Sequence, residues 1–383
     1  MPGFAQAFKV SRAPAACFVG MGIVWGSFMA TMPDFKARLG VEDGTFGVLM
    51  IWGSLGAIVM MTLAPRFGTP MGRMALPVFA VLMALGYGAM GQTTGPVAFV
   101  LMLTAMGMAS GALDVFQNAR LAAIEVARGQ PLMNLSYALY SFGFAGAAAL
   151  TGVARAAGWS TGQITGTGAL VVLALGLTAW ERDGTLQGMG GRRGGAAPVP
   201  LGLAPVLGGL LILASLMGEN SVEAWSALFI ERDLGGAVGS GSLAPALMGL
   251  MMGLGRLAGQ GLAQRVPDRH LLSGGLIGSL AGMLVVVAAP SVPVAYAGFV
   301  VLGLGASVVV PKVMAVIGRQ STDATRGRAI ARATVLGYIG YFIGPPLLGM
   351  VAELVGLRAS FALVAAVLLA SLALAAALMR QDR

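Results

Sequence analysis

Residues Phe99–Leu121 read FVLMLTAMGMASGALDVFQNARL. A membrane-spanning helix needs about 20 predominantly apolar residues, and this run supplies them. Its exception is Asp114, well inside the cytoplasmic half of the run. Placing an ionisable group in hydrocarbon costs roughly 2.5–3.5 kcal/mol on insertion scales. Packing alone seldom sustains that cost. Such residues line water-filled paths and often exchange protons, so a membrane transporter is the first expectation.

The rest of the composition agrees. Hydrophobic residues make up 57% of the 383 and charged residues only 10%, with a mean hydropathy of +0.84. A soluble chain carries about 25% charged residues, so this one lacks the polar side chains to cover a water-facing surface. Gly accounts for 59 residues, which suits close helix packing in lipid, where apolar contact alone gives no drive. The net charge of +9 does not signal nucleic acid, because the basic residues lie in short loops between apolar runs. A single Cys17, and a single His270 beside Arg269, exclude an internal disulfide and a His-based metal cluster. Cys17–Met32 is followed by no small-residue cleavage site and reads as a first span rather than a cleavable signal.

Apolar runs long enough to span lie at 13–32, 46–64, 74–91, 97–121, 132–154, 163–180, 203–230, 243–262, 271–289, 293–317, 328–351 and 359–379. All are expected to be helices, since an open sheet cannot satisfy its backbone in lipid. The expected class is an all-α membrane protein with twelve transmembrane helices. With the N-terminus inside, one set of loops carries Lys9, Arg66, Arg73, Arg120, Arg192, Arg319 and others, and the opposite set little beyond Lys36, Arg38, Arg155, Arg232 and Arg358. This bias of roughly three to one puts both termini in the cytoplasm.

Between the sixth and seventh spans lies Glu181–Pro200, ERDGTLQGMGGRRGGAAPVP. Gly-rich, charged and poor in aromatics, it reads as a flexible cytoplasmic linker. The domains are therefore expected at 1–180 and 203–383, joined by 181–202. The halves echo one another. TLAPRFG at Thr62–Gly68 matches GLAQRVP at Gly261–Pro267, FKARLG at Phe35–Gly40 matches FIERDLG at Phe229–Gly235, and Gly111-Ala112 matches Gly305-Ala306. These offsets cluster near about 195 residues, which indicates a parallel repeat of two pseudo-symmetric six-helix bundles, a transporter architecture with its site near the midplane.

With these features the chain resembles the major facilitator superfamily. That superfamily's loop signature is Gly-x-x-x-Asp-Arg-x-Gly-x-Arg/Lys-Arg/Lys. Arg66, Gly68 and Arg73 fit it loosely, while Pro65 and Gln264 replace its Asp in the two halves. Three segments are similar to the fucose-permease-like branch, and within it to rhizopine-transport-type membrane proteins: GALDVFQN at Gly111–Asn118, NLSYALYSFG at Asn134–Gly143 and GENSVEAWS at Gly218–Ser226. The resemblance implies the major facilitator fold and a proton-coupling, sugar-contacting acid at Asp114. It also implies that a sugar-contacting Asn of the fifth helix has become Tyr140. The acid those permeases carry inside the first helix is missing, since Asp34 lies at the mouth after Pro33.

Read for chemistry, Asp114 and Asn118 are four apart and share a helix face with Ser110 and Gly111. Either Asp114 exchanges protons while Asn118 bonds solute, or Asp114 forms a structural ion pair, with Arg120 or Arg73. Glu219 and Glu223, also four apart, repel in low dielectric and suit proton handling or a cation site, or Glu223 is simply solvated at the mouth. Asn220 and Trp225 lie beside them and offer a hydrogen bond and a ring face to a solute. Lys312 follows Pro311, which kinks its helix, and by the repeat stands where Asn118 stands. It is a counter-ion of Asp114, an anchor for a substrate anion, or a residue snorkelling to the inner interface near Arg319. Arg256 is expected to pair with an acid or to cap carbonyls. Trp25 is a candidate ring platform, set against a packing role, and Trp52 packs or faces lipid. GPPLLG at Gly344–Gly349 is expected to bend its helix.

No G-x-x-x-x-G-K-[ST] loop occurs, so energy is expected from an ion or solute gradient rather than from a nucleotide. Neither a nucleophile–base pair nor a metal cluster marks an enzyme, and no cofactor is expected. The reading is a proton-coupled symporter of a small polar solute (sugar, polyol or amino-sugar) in the inner membrane. Protons, lipid and the solute are its partners, and a monomer suffices. Proton carriers would be Asp114, Glu219 and Glu223; solute contacts would be Asn118, Tyr140, Asn220, Trp225, Trp25 and Lys312. A proton-driven drug or metabolite exporter is one rival. A non-transporting sensor or scaffold is another.

Overall fold

The computed structural model describes residues 4–129, 132–182, 201–262, 266–322 and 325–380. Most of the Gly-rich linker and the Gln264 position lie outside these residues. Among the described residues there is no strand, and twelve helices are long and apolar enough to cross a membrane. They are α1 (Arg12–Ala30), α2 (Asp43–Met71), α3 (Ala75–Met90), α4 (Pro96–Arg128), α5 (Met133–Ala156), α6 (Thr161–Thr178), α7 (Ala204–Leu228), α8 (Leu243–Leu262), α9 (Asp268–Ala288), α10 (Val292–Arg319), α11 (Arg326–Val355) and α12 (Leu357–Arg380). Short helices Phe4–Val10 and Met32–Leu39 flank α1.

The chain separates into two compact units. One holds Met1–Val41 and Leu49–Arg193, the other Glu42–Val48 and Gly194–Arg383. The start of α2 thus belongs with the second unit, which the sequence reading of 1–180 as one block did not anticipate. The local reasons are clear. Asp43 is buried and accepts Nη1 of Arg232 on both oxygens, at 3.0 and 2.7 Å. The backbone N–H of Gly44 donates to Glu353 at 2.8 Å, an acid at a helix N-terminus where the free N–H groups favour it. Phe46 meets Trp225 edge-on at 6.2 Å.

Within the first unit, α1 packs on α5 and α6. Gly22 and Gly26 set the α1–α5 distance. A Cβ on Gly22 would lie 2.8 Å from Phe144 N, and one on Gly26 2.7 Å from Phe144 Cα. Two small residues one turn apart let the backbones touch. Gly107 and Gly111 do the same for α4, with Gly53 and Ala57 of α2 as their neighbours. The unit is pinned at one end by Arg155, 4% exposed, which donates to both oxygens of Asp34 at 2.6 and 2.7 Å.

Helix ends follow ordinary capping rules. Gly129 stops α4 at φ 61°, in the left-handed region open to glycine. Glu125 then turns back, accepting from Leu132 N–H and, at 2.8 Å, from Met133 N–H to start α5. A reciprocal Ser160–Gln163 box starts α6. In the second unit, α7 packs along α11 and α9 along α10. Leu211, Ile212, Leu276, Val313 and Ile317 are among its buried core residues.

Candidate functional site

The first unit gathers polar groups around Asp114. Its Oδ1 accepts from Asn118 Nδ2 at 3.0 Å and from Gln117 Nε2 at 3.3 Å. Asn118 is held at both ends: Nδ2 also donates to the Asp114 carbonyl at 2.8 Å, and Oδ1 accepts from Tyr137 hydroxyl at 2.9 Å. One turn back, Trp25 Nε1 of α1 donates to Ser110 Oγ at 3.0 Å. Trp25, Ser110, Asp114, Asn118 and Tyr137 therefore form one polar strip over α1, α4 and α5.

The ion-pair alternative for Asp114 does not hold. Arg120 pairs instead with Glu181 at 2.7 Å, and Arg73 lies over the Trp180 ring, 5.7 Å from its centroid. Among the described residues no Lys or Arg is within ion-pair distance of Asp114. Tyr140 lies one turn from Tyr137 on α5. It leans on Phe144, with ring centroids 6.3 Å apart, and packs on a cluster with Phe18 and Leu121. Trp52 of α2 is exposed.

In the second unit, Glu219 is buried on α7 and accepts from Ser215 Oγ at 3.0 Å. Glu223 is half-buried one turn further. Each carboxylate feels the charge of Arg256 on α8, and Glu223 also feels Glu219. Arg256 is thus within electrostatic reach of both α7 acids, a grouping of one cation with two acids that spacing along one helix does not reveal.

Asn220 and Trp225 both donate to carbonyls of α11, while the Asn220 Oδ1 is buried with no partner among the described residues. Pro345 has no N–H to give the carbonyl four residues back, that of Tyr341. Asn220 Nδ2 donates to that carbonyl instead, at 2.6 Å. Trp225 is fully buried and its Nε1 donates to the Pro345 carbonyl at 3.0 Å. α11 runs on through Pro345 and Pro346 as one helix, these two side chains support it there, and the Trp225 ring face is covered. We expect Asn220→Leu to lower stability by about 1–3 kcal/mol, since it strands a buried carbonyl. Solute affinity is expected to hold. A thermal melt with and without solute checks both, and a selective loss of affinity at unchanged stability would return Asn220 to the binding set.

Lys312 is also resolved. It is 8% exposed, and its ammonium donates to Asp268 Oδ1 at 2.7 Å. The other Asp268 oxygen takes Arg319. Within the second unit Lys312 and Arg319 of α10 thus share one carboxylate at the start of α9. Asp268 escaped the sequence reading because it opens a different helix, 44 positions away. Tyr137 and Gln117 were missed as well, although Gln117 lies within a turn of Asp114 and signals itself as an amide in an apolar run.

Comparison with known proteins agrees with this architecture. The Major Facilitator Superfamily model matches residues 207–383. The chain is 29% identical over 381 residues to an uncharacterised MFS-type transporter of Yersinia pestis, covering 99% of this chain and 97% of that one. It is 26% identical over 357 residues to the membrane protein MosC of Rhizobium meliloti, covering 90% and 84%. Among solved structures, a nucleoside transporter superposes with a TM-score of 0.72 at 14% identity, covering 98% of this chain and 99% of that one. A D-xylose-proton symporter gives 0.71 at 15% identity, covering 97% of each. The chain is thus similar to major facilitator superfamily transporters, over residues 207–383 by the family model and over nearly its whole length by these relatives, and it has the multi-pass helical fold of such proteins.

Proposed function

We propose that this transporter is a proton-coupled symporter of a small polar solute, a sugar, polyol or amino-sugar, working by alternating access. One observation carries the reading: Asp114 lies deep in a spanning helix, bonded by neutral amides and by no cation among the described residues. A structural acid in lipid is ordinarily balanced by a fixed positive charge. Here the balancing charge is a proton that comes and goes. Asn118, held by Tyr137, presents its amide to the carboxylate, and the Trp25–Ser110 bond carries the polar strip onward toward a solute. Glu219 and Glu223 are the second proton-handling pair, with Arg256 as their shared counter-charge.

The presence of a D-xylose-proton symporter among the fold neighbours supports the solute class, and the loop-charge bias supports an inner-membrane protein with both termini in the cytoplasm. The test is reconstitution. Purified protein in liposomes is given an inward proton gradient and a panel of labelled sugars, polyols and amino-sugars, preselected by thermal shift at two pH values. Uptake that exceeds equilibrium and collapses with a protonophore is the expected result. Uptake indifferent to the gradient would sink proton coupling, and gradient-driven efflux from inverted vesicles would favour an exporter.

A further inference from the structure

A second binding feature lies on the lipid face of the first unit. The sequential helices α5 and α6 both pack on α1, not closely on each other. Between them runs a groove of about 560 Å³, floored by Ile23 and Ser27 of α1 and walled by small residues of α5 and α6, Gly143, Gly146 and Gly168 among them. Its edges, Leu150, Val153 and Val171, are exposed apolar side chains, a surface suited to hydrocarbon in a membrane. No charged side chain lines it, which excludes the polar solute as its occupant.

The groove has a polar end and an apolar run. Trp159, half-exposed in the α5–α6 turn, closes one end, the position of an interface residue. Arg38 stands at the same end. Its Nη1 donates to the Gly91 carbonyl at 2.6 Å and to Thr161 Oγ1 at 2.7 Å, two residues from Trp159, which leaves the rest of its exposed guanidinium, just outside the lining, for an anion. From Ala157 back to Phe142 the lining of α5 extends about 22 Å at ~1.5 Å per residue. One leaflet of hydrocarbon is about 15 Å deep, so an acyl chain fits lengthwise with its headgroup beside Arg38.

We propose that this groove holds one acyl chain of an anionic phospholipid, with its phosphate at Arg38. Gly146 provides the probe, because a Cβ there meets nothing within 4 Å and a larger side chain fills the groove without displacing protein. Gly166, equally open but outside the groove, is the control. The protein is purified in mild detergent, exchanged into phosphatidylglycerol or phosphatidylethanolamine nanodiscs, released and weighed by native mass spectrometry.

Wild type and Gly166→Leu are expected to retain one phosphatidylglycerol, about tenfold more than phosphatidylethanolamine. Gly146→Leu is expected to lose it, and Arg38→Gln to lose the preference but not the acyl chain. The lipid-free melting temperature of Gly146→Leu, matching that of Gly166→Leu, shows that the fold is intact. Equal retention by Gly146→Leu overturns the proposal, as does a wild-type dimer in light scattering that Gly146→Leu dissociates, which would make a second copy the occupant.

Discussion

Replacing Asp114 by Asn is expected to abolish accumulation of solute against its gradient while leaving exchange of labelled for unlabelled solute intact. The amide keeps the size of the carboxyl and can still bond Asn118 and Gln117, so the α4 strip stays assembled. What it cannot do is take up and release a proton. Coupled transport needs a ligand whose affinity differs between the two conformations, and in the proposed mechanism that ligand is the proton at Asp114. Uphill uptake is expected to fall by about 100-fold, equivalent to ~2.7 kcal/mol of lost drive. Exchange needs no net proton movement and is expected to stay within about threefold, or ~0.65 kcal/mol. Arg120→Gln and Arg73→Gln are the companion tests. Their partners are Glu181 and Trp180, so coupling is expected to survive both. An Asp114→Asn transporter that still concentrates solute would remove the basis of the mechanism.

The outline of this protein was readable from hydropathy because lipid imposes a single rule on every span. The reading 243–262 for the eighth helix coincides with α8, whereas the fourth, read to 121, runs on to Arg128. The difference is physical. Hydropathy marks where the chain leaves hydrocarbon, but helical hydrogen bonding continues through NARLAAIEVAR until Gly129 breaks it. The faces of single helices were readable too, which is why Asp114 with Asn118, and Glu219 with Glu223, were singled out together. Partners on other helices were not. Lys312 finds Asp268, and Asn220 finds the carbonyl orphaned by Pro345. Sequence spacing fixes which way a side chain points around its own axis and says nothing of what stands opposite. The Asn220 case holds a usable signal in retrospect: a proline pair within a span leaves carbonyls in want of a donor, and a buried amide elsewhere is the place to look for it.

The other large effect concerns Gly26. Replacing it by Val is expected to prevent α1 and α5 from closing, and with them the first unit. The added carbons would meet the backbone of Phe144, its carbonyl oxygen and its Cα, rather than the end of a side chain that could swing aside. Overpacking a well-filled core costs about 1–3 kcal/mol where side chains can shift. Here a helix must move, so the cost is expected at or beyond the upper figure. In lipid the separated helices gain nothing from burying apolar surface elsewhere, which leaves no compensating term. Yield of monodisperse protein is expected to drop severely and the remainder to melt well below wild type. Two controls make the result specific. Gly20→Ala, on the same helix, meets only Val172 Cγ1 at 3.4 Å and is expected to behave as wild type. Adding Phe144→Ala to Gly26→Val is expected not to rescue it, because the obstruction is main chain. A Gly26→Val protein that is monodisperse and as heat-resistant as wild type would mean that α1 and α5 do not meet through this glycine.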